Sequence, residues 1–369
     1  VKDKGMGISR ENRKKNRFML RGAMKKNGFD MWRHSFTGYN KLTGEIRSFF
    51  IEFYIVNPGV SLKEVSFGSG LLSSQELKPS FFMVKAGSWG KDGKQLHSFF
   101  PIGDISINKR KLEIKSNTFV VTENELSGSV EVSFSKASSH PEYLCTSGSM
   151  SWNLKMDKKI PFVAKKIKSD TKLHWFAQGA KTIYGGTVVF DGIEYVVVPQ
   201  KSYGHADKFW GKKLSNPWLW LSSSNLTSLI TGQNLNHSCF DIGGVSVVNS
   251  KPKGLQLFFT NQNQSYDFSP SGFLKKDKIN FNFTQNDEIG HWTVTAENSK
   301  FLLDVDIFCK KNDMIFMNYI NPDGFAPHKT LWSGGSGSGE IRLYKKINKS
   351  LEIVEHARVE NCGCEYGEY

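Results

Sequence analysis

Hydrophobic and polar residues alternate in short stretches along most of this chain. Lys111-Leu112-Glu113-Ile114-Lys115, Lys278-Ile279-Asn280-Phe281-Asn282-Phe283, Leu303-Asp304-Val305-Asp306-Ile307 and Glu340-Ile341-Arg342-Leu343 all follow period two. That period places one face in a core and the other in water, as in antiparallel sheet. Breakers separate the stretches at Asn57-Pro58-Gly59, Asp191-Gly192 and Asn321-Pro322-Asp323-Gly324. Asp191-Gly192 has the chemistry of a two-residue hairpin turn. The glycine-rich run at 333–339 reads as a hairpin connection, because it lacks the Lys-Ser/Thr ending of a phosphate loop. No long amphipathic helix is evident, so the prediction is an all-β fold of two sandwiches or barrels.

Residues 49–56 depart from simple alternation. One face carries Phe49, Ile51, Phe53 and Ile55, the other Phe50, Glu52, Tyr54 and Val56. A strand that is apolar on both sides is covered on both, or lines an apolar cavity. Glu52 is then a lone carboxylate between aromatic neighbours and a candidate acid. The chain as a whole holds 28 Phe and 9 Trp in 369 residues.

Charge is unevenly placed. Residues 1–26 hold ten Lys/Arg against two acids, which accounts for +8 of the net +14. The arm reads as solvated, with a short helix around Phe18, Leu20 and Met24. It offers a peripheral contact to an anionic membrane surface; nucleic acid is the weaker alternative, as no groove-binding motif accompanies the charge. No apolar run is long enough to span a bilayer. The expected setting is cytoplasmic, in part at a membrane surface, and a removed leader stays open because the chain does not begin with Met. Five dispersed cysteines read as reduced thiols, and Cys362-x-Cys364 is a weak zinc signal. The nine histidines show no metal-binding spacing, and no nucleophile elbow, Walker loop or dinucleotide fingerprint occurs. Neither metal nor cofactor is expected.

The densest segment is 202–221, with three of the nine Trp beside Tyr203, His205, Asp207 and Lys208. If residues 205–210 are extended, Asp207 and Phe209 share one face, and Lys208 and Trp210 the other. Trp218 and Trp220 likewise share a face. This segment resembles the tocopherol cyclase-like proteins, relatives of the carotenoid 1,2-hydratases in a wider lipocalin-like group. Ala206-Asp207-Lys208-Phe209-Trp210-Gly211 is similar to that family's A-E-K-N-W-G motif, with Asp for Glu and Phe for Asn. Trp218-Leu219-Trp220 matches its Trp-x-Trp. Phe29-Asp30-Met31-Trp32 resembles its acidic-x-Trp start, with Arg33 where a Tyr is usual, and residues 52–58 resemble its Val-x-Asn-Pro strand.

The resemblance implies two lipocalin-like antiparallel β-barrel domains in tandem, expected at 27–180 and 181–369 after the arm. It also implies a lipophilic substrate and cofactor-independent cyclase or isomerase chemistry, in which an alkene is protonated and a hydroxyl captures the cation. A prenylated quinol or another polyunsaturated compound fits that chemistry. Hydration is disfavoured because Lys208 and Phe209 replace the hydratases' His and Asn, and a carrier of an apolar ligand is the non-catalytic alternative. Asp207 takes the motif's acidic position and is the first candidate acid, provided that burial keeps it neutral. His205 and Tyr203 are the candidate proton acceptors. Trp210, Trp218, Trp220, Lys208, Trp32 and Asp30 are the candidate substrate-binding residues.

Overall fold

A computed structural model describes residues 10–67, 78–139, 141–162, 173–214, 217–244, 246–248, 251–253, 255–269 and 278–368. The described chain forms two large antiparallel sheets, each curled around its own core, and these are two lipocalin-like barrel domains in tandem. The first twelve strands belong to one sheet. One end of it is built from β1 (Phe29–Asn40), β2 (Ile46–Val56), β3 (Phe81–Ser88) and β4 (Lys94–Phe100), hydrogen-bonded in that order with β4 outermost. The Gly204–Gly211 strand pairs with β1 on one side and with Leu173–Phe190 on the other. The second sheet has eleven strands, from Trp218–Ser223 to Ser350–Glu368.

The expected division at residue 180 falls inside the Leu173–Phe190 strand, whose hydrogen bonds keep it in the first sheet. The change of sheet comes between Gly211 and Trp218. The alternating stretches near residues 113, 280, 305 and 341 are all strands. Asp191 and Gly192 form the tight turn with φ of 47° and 79°, the left-handed pair that a twisted hairpin requires.

The 333–339 run is not a connection. It lies within the Thr330–Ile347 strand, between register shifts. A side chain at Gly335 would strike the Trp89 ring, and one at Gly334 would come within 3.0 Å of the Cys309 sulfur. The glycines let neighbouring side chains press against the strand backbone. The basic arm also differs from expectation over its described part. Its helix is Arg10–Asn16, followed by a 3-10 turn at Gly22–Lys25. Leu20 is buried in the first core, and Asn16 donates to both Glu123 carboxylate oxygens at 2.8 and 2.9 Å. These contacts dock the segment that charge alone would leave solvated; residues 1–9 lie outside the described residues.

The two faces of β2 separate as the pattern predicts. Phe49, Ile51, Phe53 and Ile55 enter the first barrel, while Phe50, Tyr54 and Val56 join a third core at the boundary between the domains. That third core also takes Met31, Phe209, Trp175, Trp218 and Trp220. Each large side chain buried there contributes about 1.5–3 kcal/mol of hydrophobic stabilisation, so the domains share a core and are not loosely tethered.

Candidate functional site

A row of charges crosses the first sheet on its boundary face. His97 on β4 pairs in register with Lys85 on β3, Lys85 with Glu52 on β2, and Glu52 with Arg33 on β1. Arg33 pairs with Asp207 on the Gly204–Gly211 strand. Residues directly opposite on antiparallel neighbours project to the same side. The order is imidazole, cation, anion, cation, anion, and none of the five side chains is more than 5% exposed.

Both oxygens of Asp207 are taken up by donors. Arg33 donates Nε at 3.2 Å and Nη2 at 2.7 Å, and Trp175 donates its indole N–H at 2.9 Å. The remaining Arg33 amino group reaches Glu365 of the second domain at 2.7 Å. Glu365 is held in turn by Trp218 Nε1 at 2.8 Å and by the Ser333 hydroxyl at 2.9 Å. Burial would lower the Arg33 pKa, but Asp207 and Glu365 overcome it and hold the guanidinium well above its usual value. Its charge lies 4.0 Å from the Trp220 ring centre and 5.3 Å from that of Phe209. The aromatic faces that the resemblance assigns to a substrate cation therefore surround the chain's own Arg33, the residue standing in a usual Tyr position. Only about 20 Å³ of cavity remains beside Arg33, Trp218 and Glu365.

Glu52 is differently placed. Burial raises its pKa, against the opposing pull of Lys85, Arg33 and the Tyr319 hydrogen bond. Tyr319 reaches both Glu52 oxygens at 2.8 and 2.9 Å, and Lys85 lies 3.6 Å away. Lys85 is lowered by its own burial and sits 3.7 Å from the Tyr319 ring centre. Burial thus pushes the two pKa values toward each other, against the attraction between the charges. His97, next in the row, is held well below the usual histidine value by burial and by Lys85. Neither His97 ring nitrogen has a hydrogen-bond partner among the described residues.

His97 also lines a cavity of about 510 Å³ between β4 and the Glu125–Val132 strand. Phe67, Phe99, Phe100 and Tyr143 supply its aromatic wall, and Ser129 and Cys145 add to the lining. Phe99 makes edge contacts with Phe67 and Tyr143, both at 4.9 Å between ring centres. The volume lies within the range of small-molecule sites.

The ten residues singled out from the sequence divide between two faces. Asp207, His205, Glu52, Trp218 and Trp220 reach the domain boundary. His205 bonds Asp241 of the second domain at 2.7 Å through Nε2, and burial raises the Asp241 pKa against that bond. Tyr203, with φ of 39°, lies at the rim of a small cavity of about 20 Å³ that His205 also lines. Asp30, Trp32, Lys208 and Trp210 point away from the boundary. Lys208 is ion-paired to Asp30 and rests 3.4 Å from the Trp32 ring centre, while Trp210 stacks on His174. These four form a separate buried set, stabilised by the docked arm through Met19 N to Asp30 and Trp32 Nε1 to Asn16 O, each 2.7 Å.

Sequence reading missed Lys85, His97, Tyr319, Trp175, Asp241 and Glu365, and passed over Arg33 as a departure. Lys85 carried the same signal as Glu52, a lone charge in an apolar strand. The others needed the register to be seen.

No protein-family model matches the chain, and no curated protein sequence matches it. Among solved structures, CghA with Sch210972 is similar at a TM-score of 0.50 and 9% identity, covering 93% of this chain and 89% of that one. Kievitone hydratase from Nectria haematococca is similar at a TM-score of 0.44 and 9% identity, covering 95% and 94%. The similarity to CghA is one of fold over nearly the whole of both chains.

Proposed function

We propose that this protein is a cofactor-independent acid–base enzyme, a cyclase or isomerase of a lipophilic, polyunsaturated substrate of the prenylquinol type. One observation carries the reading: the buried row of ionisable side chains ends at His97 on the wall of the 510 Å³ aromatic cavity. Buried charges are costly unless paired, and their perturbed forms concentrate where chemistry is done. The neutral imidazole accepts the proton of the substrate's hydroxyl as its oxygen adds to a double bond of the same molecule. The proton returns to the alkene carbon, so the product is an isomer. Glu52 and Lys85 stand behind His97 in the same row and set the charge that the imidazole meets. In this reading the proton is carried by His97 and not by Asp207, which fixes Arg33. A solved structure of CghA, similar in fold, holds Sch210972, which is compatible with a guest molecule in this fold.

The test is incubation with a phytylated benzoquinol and with a linear carotenoid, followed by chromatography with mass detection. A product of unchanged mass and altered retention, lost in His97→Gln with ligand binding retained, supports the cyclase. A gain of one water in the carotenoid reassigns the enzyme as a hydratase. Recovery of both compounds bound but intact favours the carrier, a reading supported by the filling of the Trp218–Trp220 box by Arg33.

A further inference from the structure

One end of the molecule gathers exposed apolar side chains among cations. Val60 is 43% exposed, Leu62 59% and Phe325 57%. Val60 and Leu62 belong to the turn after β2, and Phe325 to the turn at 321–325 of the second domain. Asn57 ties these loops together: its side-chain amide donates to Pro79 O and Pro322 O, both at 2.8 Å, and its oxygen accepts Gly28 N at 3.0 Å. The docked arm arrives at the same place, since Gly59 N donates to Lys25 O at 2.7 Å. Arg21, Lys25, Lys26 and Lys63 are exposed here, against Glu64. Lys213 is already paired with Asp323 at 3.1 Å.

We infer that this end, formed by Val60, Leu62 and Phe325 within the ring of Arg21, Lys25, Lys26 and Lys63, is a docking surface for a bilayer containing anionic lipid. The partner follows from charge and shape together. A polyanion such as nucleic acid would use the cations and leave three large apolar side chains on protruding loops without purpose. A bilayer uses both: the apolar tips enter the headgroup layer while the cations meet its negative potential. The backbone from Leu62 continues to Phe67, a wall of the aromatic cavity. The docking surface stands independently of any chemistry in that cavity.

The experiment is co-sedimentation of the intact protein with vesicles of phosphatidylcholine alone and of phosphatidylcholine mixed with phosphatidylglycerol. Binding is expected to the mixed vesicles and to weaken with salt. Lys25→Gln and Lys26→Gln should each lower partitioning about fivefold. Leu62→Asp and Phe325→Asp should each lower it while leaving the unfolding transition in place. Leu62→Trp gives a second readout that does not depend on loss of binding: its fluorescence should be quenched by brominated lipid. Absence of binding to mixed vesicles overturns the proposal. So does binding that Leu62→Asp and Phe325→Asp leave unchanged, or an unquenched Leu62→Trp. Salt-sensitive binding to a single-stranded oligonucleotide, with none to vesicles, would assign the face to nucleic acid instead.

Discussion

Arg33 of the first domain and Glu365 of the second meet at 2.7 Å, and both are 2% exposed. Between them and Asp207, one cation answers two carboxylates; two indole N–H groups share oxygens with Arg33, and the Ser333 hydroxyl takes the one oxygen it leaves free. The domains are joined at their centre by polar bonds enclosed in aromatic rings.

Removing one partner of such a cluster leaves an uncompensated buried charge. Arg33→Leu should therefore destabilise the protein by about 3–5 kcal/mol, read as a lowered midpoint in urea. Replacing Arg33, Asp207 and Glu365 together by apolar residues should recover much of that loss. A small effect of Arg33→Leu would mean that the carboxylates find water, and that the boundary is open.

The Asp30–Lys208 pair predicts a parallel result in a different place. Burial holds Lys208 well below the usual lysine value, and Asp30 is its partner beneath the docked arm. Asp30→Asn should cost about 3–5 kcal/mol. It should also loosen the arm, because Asp30 accepts Met19 N; proteolysis within residues 10–26 would report that release.

Acid should weaken the fold through two histidines. His34 is held well below its usual pKa by burial and by Lys158, as His97 is by burial and Lys85. The unfolded chain binds a proton on each near pH 6.5, which the folded chain refuses until lower pH. Their stabilisation is thus complete above that value and declines below it, by about 1.4 kcal/mol per pH unit for each histidine. Glu52 works the other way, its raised pKa favouring the folded state below about pH 4.5 and losing that advantage as pH rises. Comparing urea midpoints of the wild type and His97→Gln between about pH 8 and pH 5 isolates one histidine; equal slopes would refute its assignment.

Filling the aromatic cavity separates binding from folding. Ser129 is exposed on its wall, so Ser129→Trp should cost less than about 1 kcal/mol of stability and abolish uptake of an apolar fluorescent ligand. Retained uptake would place the ligand elsewhere, with the domain boundary the next location to probe.

The strands were legible because period two is a local signal, carried by segments such as Leu303-Asp304-Val305-Asp306-Ile307. The double burial of residues 49–56 was legible for the same reason. The glycine run at 333–339 was not, since its role depends on Trp89 and Cys309, which lie far away in sequence. The candidate site was half legible. Asp207, Glu52 and His205 carry charge in apolar surroundings and can be found from one strand. Their partners are set by register: Glu52 next to Arg33, Arg33 next to Asp207, and Lys85 next to Glu52. A motif also says which residue types recur and not which way they face, so Lys208 and Asp207 were grouped although they point in opposite directions.

The bond between Arg33 and Glu365 spans 332 positions of the chain, and that between Arg33 and Asp207 spans 174. A ribosome thus releases Arg33 long before either counter-ion has been made. During that interval the acid beside Arg33 on the neighbouring strand β2 is Glu52. Completing the first sheet brings Asp207 to Arg33, but the side of Arg33 that meets Glu365 stays hydrated until the second barrel arrives. The Arg33–Glu365 bond therefore cannot form until nearly the whole chain has been made.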